Sequence, residues 1–294
     1  MRGPRPSSAP SRTAAAPVEI GYRLDRRARG VHPGMHPGTE IGGGLEPLVH
    51  GTLLDGRDPR RLDLHASLRD PLRRLLVRRY HQRTSIRVCV LADLSASLGF
   101  RGRGSRIDTL AGLVSALGYS AGRAGDAFAF IGCDERVRDE FVLPPTRVTG
   151  AWMELAARLE AFTPCGRGSE GLAEALPMIG SRRSLVFLVS DFHFPIELLH
   201  ALLDGLARHR VVPVVLADSG EVEPAPGFGL VRVSDAETGE ERTLWMRPAL
   251  RRRLRAGFER RREALSRCFA AHGVVPLELA DRFEADRVND YFSR

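Results

Sequence analysis

Oxygen-bearing side chains follow an apolar run in the first half of the chain. The run IRVCVL continues into ADLSAS, which places Asp93, Ser95 and Ser97 at alternate positions. Mg²⁺ and Ca²⁺ bind oxygen ligands, carboxylates above all. The same side chains could instead belong to a helix-capping loop, in which hydroxyl oxygens accept hydrogen bonds from backbone N–H groups. The pattern therefore predicts a cation site only if other oxygens converge on the same place.

Two further segments offer such oxygens. Asp191 ends a second continuous apolar run, SLVFLVSDF, and the loop CGRGSEGL offers the Ser169 hydroxyl with Glu170 beside it. Ser169 could also cap the helix predicted to follow it. Ligands of open α/β sheets bind at the carboxyl ends of the strands, so we expect Asp93 and Asp191 to face one crevice. His193 lies close to Asp191 in sequence and is expected to be a packing or rim residue.

Strands and helices alternate over about 135 residues from Thr84. Apolar runs and periodicity predict strands at IRVCVLAD, DAFAFIGCD, SLVFLVSDF and VVPVVLAD, with ERVRDEFVLPP as a hairpin-like partner strand. Helical spacing predicts helices at IDTLAGLVSALGYSAGRAG, TGAWMELAARLEAF, SEGLAEALPMI and IELLHALLDGLARHR. This alternation predicts an α/β fold with a central, mostly parallel sheet and helices on both faces.

The flanking segments differ in composition from this central part. Residues 1–18 are rich in Pro, Ser, Ala and Arg and are expected to form a disordered leader. Residues 19–83 are expected to form an N-terminal extension of loops and short strands packed on the domain of residues 84–220. Residues 221–294 are expected to complete that domain with a hairpin at one sheet edge, a long amphipathic helix over 247–271, a strand and a final helix.

Composition narrows the class of protein. The 44 basic residues are all arginines and are spread along the chain, giving a net charge of +8, so the charge does not favour nucleic-acid binding. The four cysteines show no CxxC spacing and are expected to be free thiols rather than a zinc site. No apolar stretch approaches the ~20 residues of a membrane span, and no signal peptide is evident, so a cytoplasmic location is expected.

Two other patterns leave alternatives open. The loop GRGSR, residues 102–106, is similar to a phosphate-binding turn only superficially, because it lacks the Walker spacing and its lysine. The arginine-rich face of residues 250–262 fits either a solvated helix face or a docking surface. A metal-dependent phosphoester hydrolase, with the cation as Lewis acid and His193 as base, is a second class of function for the same oxygens. A nucleic-acid-binding protein is a third.

The three oxygen-bearing segments resemble a known site. Asp93-x-Ser95-x-Ser97, a hydroxyl loop about 70 residues later and Asp191 are similar in order and position to the metal-ion-dependent adhesion site of von Willebrand factor A domains. The resemblance implies a von Willebrand A-like fold, which is Rossmann-like. It also implies a Mg²⁺ ion, or Mn²⁺ or Ca²⁺, with one coordination position open for an acidic side chain of a partner. The implied ligands are Asp93, Ser95, Ser97, Ser169 and Asp191.

The segment DGRDPRRLDLHASLRDPLRRLLVRRY resembles the signature GDDxRxIDWxxSAR…VRRF of bacterial von Willebrand A-like proteins that are associated with MoxR-type AAA+ ATPases. Leu64 stands where that signature has tryptophan. Asp63 with Arg60 and Arg69 is expected to form an ion-pair network that ties the N-terminal extension to the sheet. The polar positions of the signature correspond here to Asp58, Arg60, Asp63, Arg69 and Arg78.

Residues 20–294 as a whole are similar to the MxaS branch of that family, which is found in methanol-oxidation gene clusters. The resemblance implies a non-enzymatic interaction module that partners a MoxR-type ATPase. Together they would act as a chaperone in the maturation of a metalloenzyme or complex. The implied client is methanol dehydrogenase.

Overall fold

The computed structural model describes residues 18–22, 33–42, 46–53, 60, 62–222, 229–234 and 241–294. Nearly all of the predicted leader, and Asp58 of the signature, lie outside these residues. Among the helices described, none has the length and the apolar character needed to cross a membrane.

The strands, in chain order, are β1 (Pro33–Gly42), β2 (Glu46–Thr52), β3 (Leu76–Thr84), β4 (Arg87–Asp93), β5 (Ala127–Cys133), β6 (Val137–Thr146), β7 (Leu185–Ser190), β8 (Arg210–Ala217), β9 (Gly229–Ser234), β10 (Glu241–Met246) and β11 (Leu277–Ala280). The helices are α1 (Leu64–Arg69), α2 (Arg106–Ala124), α3 (Thr149–Ala161), α4 (Gly171–Glu174), α5 (Leu176–Ile179), α6 (Ile196–Gly205), α7 (Ser219–Val222), α8 (Pro248–Ala271) and α9 (Ala285–Ser293).

The central sheet has the strand order β11-β8-β7-β4-β5-β6. All neighbouring strands are parallel except β5 and β6, which are antiparallel. The chain runs outward from β4 to β5 on one side, and from β7 to β8 and β11 on the other. The strand order therefore reverses between β4 and β7, and the crevice at such a switch point is where ligands bind in open α/β sheets.

Both faces of this sheet are covered by helices, as the alternation of elements predicts. Side chains alternate along β4, so Val88 and Val90 belong to a core shared with α2, α3 and α9. Cys89 and Leu91 belong to the opposite core, shared with α4, α5, α6 and α8. Strands buried on both faces read as continuous apolar runs, which explains the sequence of β4 and of β7.

Two predicted elements differ from the structure. The helix predicted over SEGLAEALPMI forms the two short helices α4 and α5, with Pro177 in the first turn of α5, where a missing N–H is tolerated. The hairpin β9–β10 forms a separate two-stranded sheet and does not extend the central one. The two edges of the central sheet are formed by β11, next to β8, and by β6.

The N-terminal residues are anchored through one buried carboxylate. Strands β1, β3 and β2 form an antiparallel sheet of their own. Asp126, before β5, accepts a hydrogen bond from the Tyr22 hydroxyl at 2.7 Å and from the Ile86 N–H at 2.8 Å. His36 Nε2 of β1 lies 2.8 Å from the same carboxylate. A single acidic residue of the central domain therefore binds two segments of the extension.

The signature residues lie beside this extension. Asp63 is the N-cap of α1, where it accepts a hydrogen bond from the Ala66 N–H at 3.1 Å, and its other oxygen lies 2.9 Å from His50 Nε2 of β2. The sequence had assigned Asp63 to an ion-pair network and had not singled out His50. Arg69 is exposed at the last position of α1, and Arg60 is also exposed. Arg78 lies in β3, and its side chain is outside the described part of the chain.

Candidate metal centre

The two predicted carboxylates lie at adjacent carboxyl ends of the sheet. Asp93 is the last residue of β4, and Asp191 directly follows Ser190, the last residue of β7. Because β4 and β7 are parallel neighbours, both side chains reach the switch-point crevice. Asp93 is 2% exposed and Asp191 is 7% exposed, so both carboxylates depend on protein groups for their solvation.

Asp93 accepts hydrogen bonds from three different segments. Its Oδ1 accepts from the Ser95 N–H at 3.0 Å. Its Oδ2 accepts from the Ser169 hydroxyl at 2.9 Å and from the Ser190 hydroxyl at 2.8 Å. The sequence predicted that Ser169 would lie here and missed Ser190, which precedes Asp191 directly and could have been noticed as a second polar residue ending the apolar run. The structure thus directs three donors onto one buried carboxylate.

Ser95 and Ser97 lie on the loop after β4, with their hydroxyl oxygens 3.1 Å apart. Ser95 precedes a short 3₁₀ helix, Ala96–Gly99, but its side chain makes no capping hydrogen bond to it. Ser169 likewise directs its hydroxyl to Asp93 and not to α4. The capping alternative for these two serines is therefore wrong, and their oxygens converge on Asp93.

The Ser169 loop is held against the Ser95 loop by the backbone. The Ala96 N–H donates to the Gly166 carbonyl at 2.8 Å. A Cβ on Gly166 would lie 2.3 Å from Cβ of Asp134, so only glycine fits against Asp134 at this position. The adjacent Glu170, the other candidate ligand of this loop, is exposed.

Asp191 is bound by a buried arginine that the sequence did not single out. Arg106, the first residue of α2, is 4% exposed and donates from one terminal nitrogen to Asp191 Oδ2 and to the Ser97 carbonyl, both at 2.9 Å. Its position at a helix start beside the crevice was visible in GRGSR, but its pairing with a residue 85 positions away was not. Arg106 neutralises one of the two acidic charges of the centre.

His193 contacts Asp191 instead of standing apart from it. Its Nδ1 lies 3.2 Å from Asp191 Oδ2, and its backbone N–H donates to Oδ1 at 3.1 Å. Strand β7 ends at Ser190, and Phe192 has a left-handed φ of 57°, so the chain turns and brings His193 back to the carboxylate. The imidazole is 40% exposed, so His193 does lie at the rim of the crevice, as expected.

Helix α8 holds this turn in place. Arg261 donates from Nε to the Phe192 carbonyl at 3.2 Å, and its terminal nitrogen also contacts the carbonyls of Phe192 and Phe194. Burial lowers the pKa of Arg261, against the opposing effect of Asp191. The arginine-rich face therefore has a structural role at this position.

The surroundings of the two carboxylates shift their pKa values in opposite directions. Burial and the neighbouring Asp191 raise the pKa of Asp93 to about 6, although the hydrogen bonds from Ser95 and Ser190 oppose this. Burial alone would raise the pKa of Asp191, but the hydrogen bonds and charge of His193 and the charge of Arg106 outweigh it and lower that pKa. Asp93 is thus the carboxylate that lacks a compensating cation among these neighbours.

The donor set fits a hard divalent cation. Carboxylates and hydroxyls supply only oxygen, which is the ligand type of Mg²⁺, Mn²⁺ and Ca²⁺. Asp93 and Ser95 are buried and Ser97 is half-buried, so the Ser97 hydroxyl lies nearest to solvent within this set. Asp191 is already bound by Arg106 and His193, so a cation would share it with them.

The GRGSR loop is occupied by a carboxylate of the protein itself. The N–H groups of Gly102, Arg103 and Gly104 donate to Asp218 at 3.1, 3.1 and 3.2 Å. A Cβ on Gly102 would lie 2.3 Å from Asp218 Oδ1, so a side chain at that position would enter the contact. This loop binds the end of β8 to the start of α2 and is not a free anion site.

A cavity of about 680 Å³ lies next to Asp191 and His193, between α8 and the strands β8 and β11. Its lining combines apolar residues of α8 and β8 with charged residues. The charged lining residues are Asp191, His193, Arg255, Glu259, Arg261, Arg262 and Glu278. The candidate centre therefore opens beside a groove that could receive a segment of a partner.

Comparison with known proteins gives a family. The model described as "Protein of unknown function DUF58" matches residues 54–285. A protein of Paracoccus denitrificans, named as an uncharacterized protein in the moxR 3' region, is 39% identical over 108 residues, which are 37% of this chain and 100% of the relative. An uncharacterized protein of Mycobacterium bovis is 28% identical over 251 residues, which are 81% of this chain and 75% of the relative.

Among solved structures, the conserved hypothetical protein BatB from Bacteroides thetaiotaomicron matches with a TM-score of 0.44 and 13% identity, over 71% of this chain and 96% of that one. The family match spans well over half of the chain and includes all six strands of the central sheet. The chain therefore belongs to the DUF58 family.

Proposed function

We propose that this protein is a non-enzymatic, cation-dependent interaction module of the von Willebrand A type. The observation that carries the proposal is the convergence of the Ser169 and Ser190 hydroxyls and the Ser95 N–H on the single buried carboxylate of Asp93. Mg²⁺, or Mn²⁺ or Ca²⁺, is held by Asp93, Ser95 and Ser97, with Ser169 and Asp191 completing the site. When bound, the cation offers an open coordination position to a carboxylate of the partner.

The proposed partner is a MoxR-type AAA+ ATPase. Support comes from the relative in Paracoccus denitrificans, whose name places it in the moxR 3' region. Further support comes from the signature-like segment around Asp63, which lies on the N-terminal extension. With this ATPase the protein acts as a chaperone in the maturation of a metalloenzyme or complex. The resemblance of residues 20–294 to the MxaS branch makes methanol dehydrogenase the first client to test.

The groove beside the centre fits this proposal. A partner segment that reaches the cation with an acidic side chain would pass Arg255 and Arg262, which line the cavity together with Glu259 and Glu278. The arginines of this lining would attract an acidic side chain and orient it toward the end of the cavity beside Asp191. The same approach leaves His193 at the rim, in contact with Asp191.

Calorimetric titration of Mg²⁺ and Mn²⁺ into EDTA-treated protein tests the site. We expect one cation per chain in the wild type and none in Asp93→Ala, while Asp139→Ala, which removes an exposed aspartate of β6, binds as the wild type does. A pull-down of the MoxR-type ATPase should then require the cation and the Asp93 side chain. Cation-independent capture that survives Asp93→Ala would overturn the proposed role of the centre.

A hydrolase would behave differently. Steady turnover of bis-p-nitrophenyl phosphate with Mg²⁺ or Mn²⁺, abolished by Asp93→Ala and reduced by His193→Ala, would favour the phosphoesterase alternative. We expect no turnover above that of Asp93→Ala.

A further inference from the structure

Four metal-binding side chains meet between helices α6 and α8, apart from the candidate metal centre. His200 and Asp204 are four residues apart on α6, and Cys268 and His272 are four residues apart at the end of α8. Side chains at that spacing lie on the same helix face. Each helix therefore presents a pair of ligands to the other.

The distances within this cluster are short. One donor atom each of His200, Cys268 and His272 lies within 4.8 Å of the others. Asp204 Oδ1 lies 3.2 Å from His272 Nε2. Ligand atoms around a tetrahedral zinc ion, with bonds of about 2.0–2.3 Å, are roughly 3.3–3.8 Å apart. Small side-chain rotations would therefore bring the donors of His200, Cys268 and His272 to bonding distance. Asp204 contacts only His272 of these three and would be the fourth ligand.

His272 is oriented as a metal ligand would be. Its Nδ1 lies 2.9 Å from the Cys268 carbonyl, which can only accept, so Nδ1 carries the proton in that bond. Metal-ligating histidines commonly donate their second ring N–H to a backbone carbonyl in this way. The remaining nitrogen, Nε2, then faces the Asp204 carboxylate, an arrangement that is favourable only with a positive charge at or between the two groups.

We propose that His200, Asp204, Cys268 and His272 form a binding site for Zn²⁺ that joins α6 to α8. Thiolate, imidazole and carboxylate together suit zinc, whereas the all-oxygen set around Asp93 suits Mg²⁺. On binding, the Cys268 thiol gives up its proton to solvent and the thiolate bonds to the metal. Cys268 is 2% exposed, whereas His200 is exposed and leaves a path for the ion to enter.

The site would stiffen the helix that shapes the candidate metal centre. Arg261 lies two turns before Cys268 on α8 and contacts the carbonyls of Phe192 and Phe194, next to Asp191. Fixing the end of α8 to α6 would hold this arginine in register with the turn. The zinc site does not depend on the proposed function, because it uses none of the residues around Asp93.

Competition with a chromophoric zinc chelator measures the site in EDTA-treated full-length protein. We expect one Zn²⁺ per chain. His200→Ala and Cys268→Ser should each weaken binding by more than the roughly 10- to 100-fold that loss of an outer-shell partner costs. His200 is exposed, so its replacement leaves the core intact even if Cys268→Ser disturbs folding. Cys165→Ser removes an exposed cysteine elsewhere and should bind as the wild type does.

Co²⁺ provides a second readout. A sulfur-to-cobalt charge-transfer absorption should appear in the wild type and in Cys165→Ser, and be lost in Cys268→Ser. The proposal is overturned if the wild type does not compete with the chelator for Zn²⁺. It is also overturned if His200→Ala binds Zn²⁺ as tightly as the wild type, or if bound Co²⁺ shows no thiolate absorption. In those cases His272 and Asp204 form an ordinary ion pair.

Discussion

Replacing Asp93 by asparagine should stabilise the metal-free protein while removing cation binding. The carboxylate is buried beside Asp191, so its charged form is disfavoured in the folded state. Asparagine has nearly the same shape and no charge. The hydroxyls of Ser169 and Ser190 can act as donors or acceptors, and the Ser95 N–H keeps an oxygen acceptor, so the local hydrogen bonds can re-form.

The size of the effect follows from the pKa of Asp93. Its rise from 3.8 to about 6 corresponds to about 3 kcal/mol, at roughly 1.4 kcal/mol per pKa unit. Because asparagine cannot reproduce all three hydrogen bonds to the carboxylate, we expect a net gain of about 1–2 kcal/mol in the free energy of unfolding at pH 7.5 in EDTA.

The difference in the free energy of unfolding between Asp93→Asn and the wild type should decrease as the pH falls. The folded state binds a proton at Asp93 more tightly than the unfolded state does, so the wild-type protein gains stability as the pH falls through about 6 toward 3.8. Asp93→Asn does not share this gain. The difference between the two proteins should therefore shrink below pH 6.

Urea denaturation with and without Mg²⁺ provides the assay. In excess Mg²⁺, at a hundredfold the dissociation constant, the wild type should gain about 2.7 kcal/mol and become the more stable protein, while Asp93→Asn gains nothing. Asp139→Asn, in which an exposed aspartate is changed, should match the wild type in both conditions. If Asp93→Asn is less stable than the wild type in EDTA at pH 7.5, the carboxylate is a structural acceptor and the reasoning is wrong.

Three further perturbations follow from the packing. Arg106→Gln leaves a buried carboxylate without its cation and should lower the free energy of unfolding in EDTA by about 3–5 kcal/mol; a loss below ~1 kcal/mol would contradict a buried ion pair. Gly118→Ala places a methyl 2.5 Å from the Trp152 ring and should lower the free energy of unfolding by about 1–3 kcal/mol. Gly122→Ala, on the same helix, faces open space and should raise it by up to about 1 kcal/mol. Equal shifts of the two variants in thermal melts would refute the contact with Trp152. Burial and nearby arginines lower the pKa of His209, so its protonation is disfavoured in the folded state and destabilises the protein as the pH falls below 6.5. The free energy of unfolding of His209→Asn should therefore decrease less than that of the wild type between pH 7.5 and 5.5. Equal decreases in the two proteins would show that His209 does not contribute.

Much of the fold was readable from local pattern. The continuous apolar runs of β4 and β7 indicated buried parallel strands, and the helices between strands indicated that both faces are covered. Since parallel strands end at the same edge, the sequence was sufficient to place Asp93 and Asp191 in one crevice. The spacing Asp93-x-Ser95-x-Ser97 also predicted oxygens on one short loop, which the structure confirms.

Contacts between segments that are distant in the chain could not be predicted from local sequence patterns. The hairpin β9–β10 was expected at an edge of the central sheet, but β11 and β6 form its two edges, and no local pattern predicts which strands do so. The position of His193 at the rim was expected, but its contact with Asp191 was not, because a left-handed turn at Phe192, a residue type that rarely adopts it, reverses the chain after β7.

The sequence by itself determined which side chains stand at the strand ends, because side-chain direction in a strand repeats every two residues and the apolar runs define where each strand stops. Only the tertiary structure determined which residues those side chains contact. Arg106 reaches Asp191 across 85 residues of chain, and His272 meets Asp204 across 68. Such pairs arise from how crossover helices pack against the sheet and against one another. That packing is set by the whole core, and no spacing along the chain encodes it.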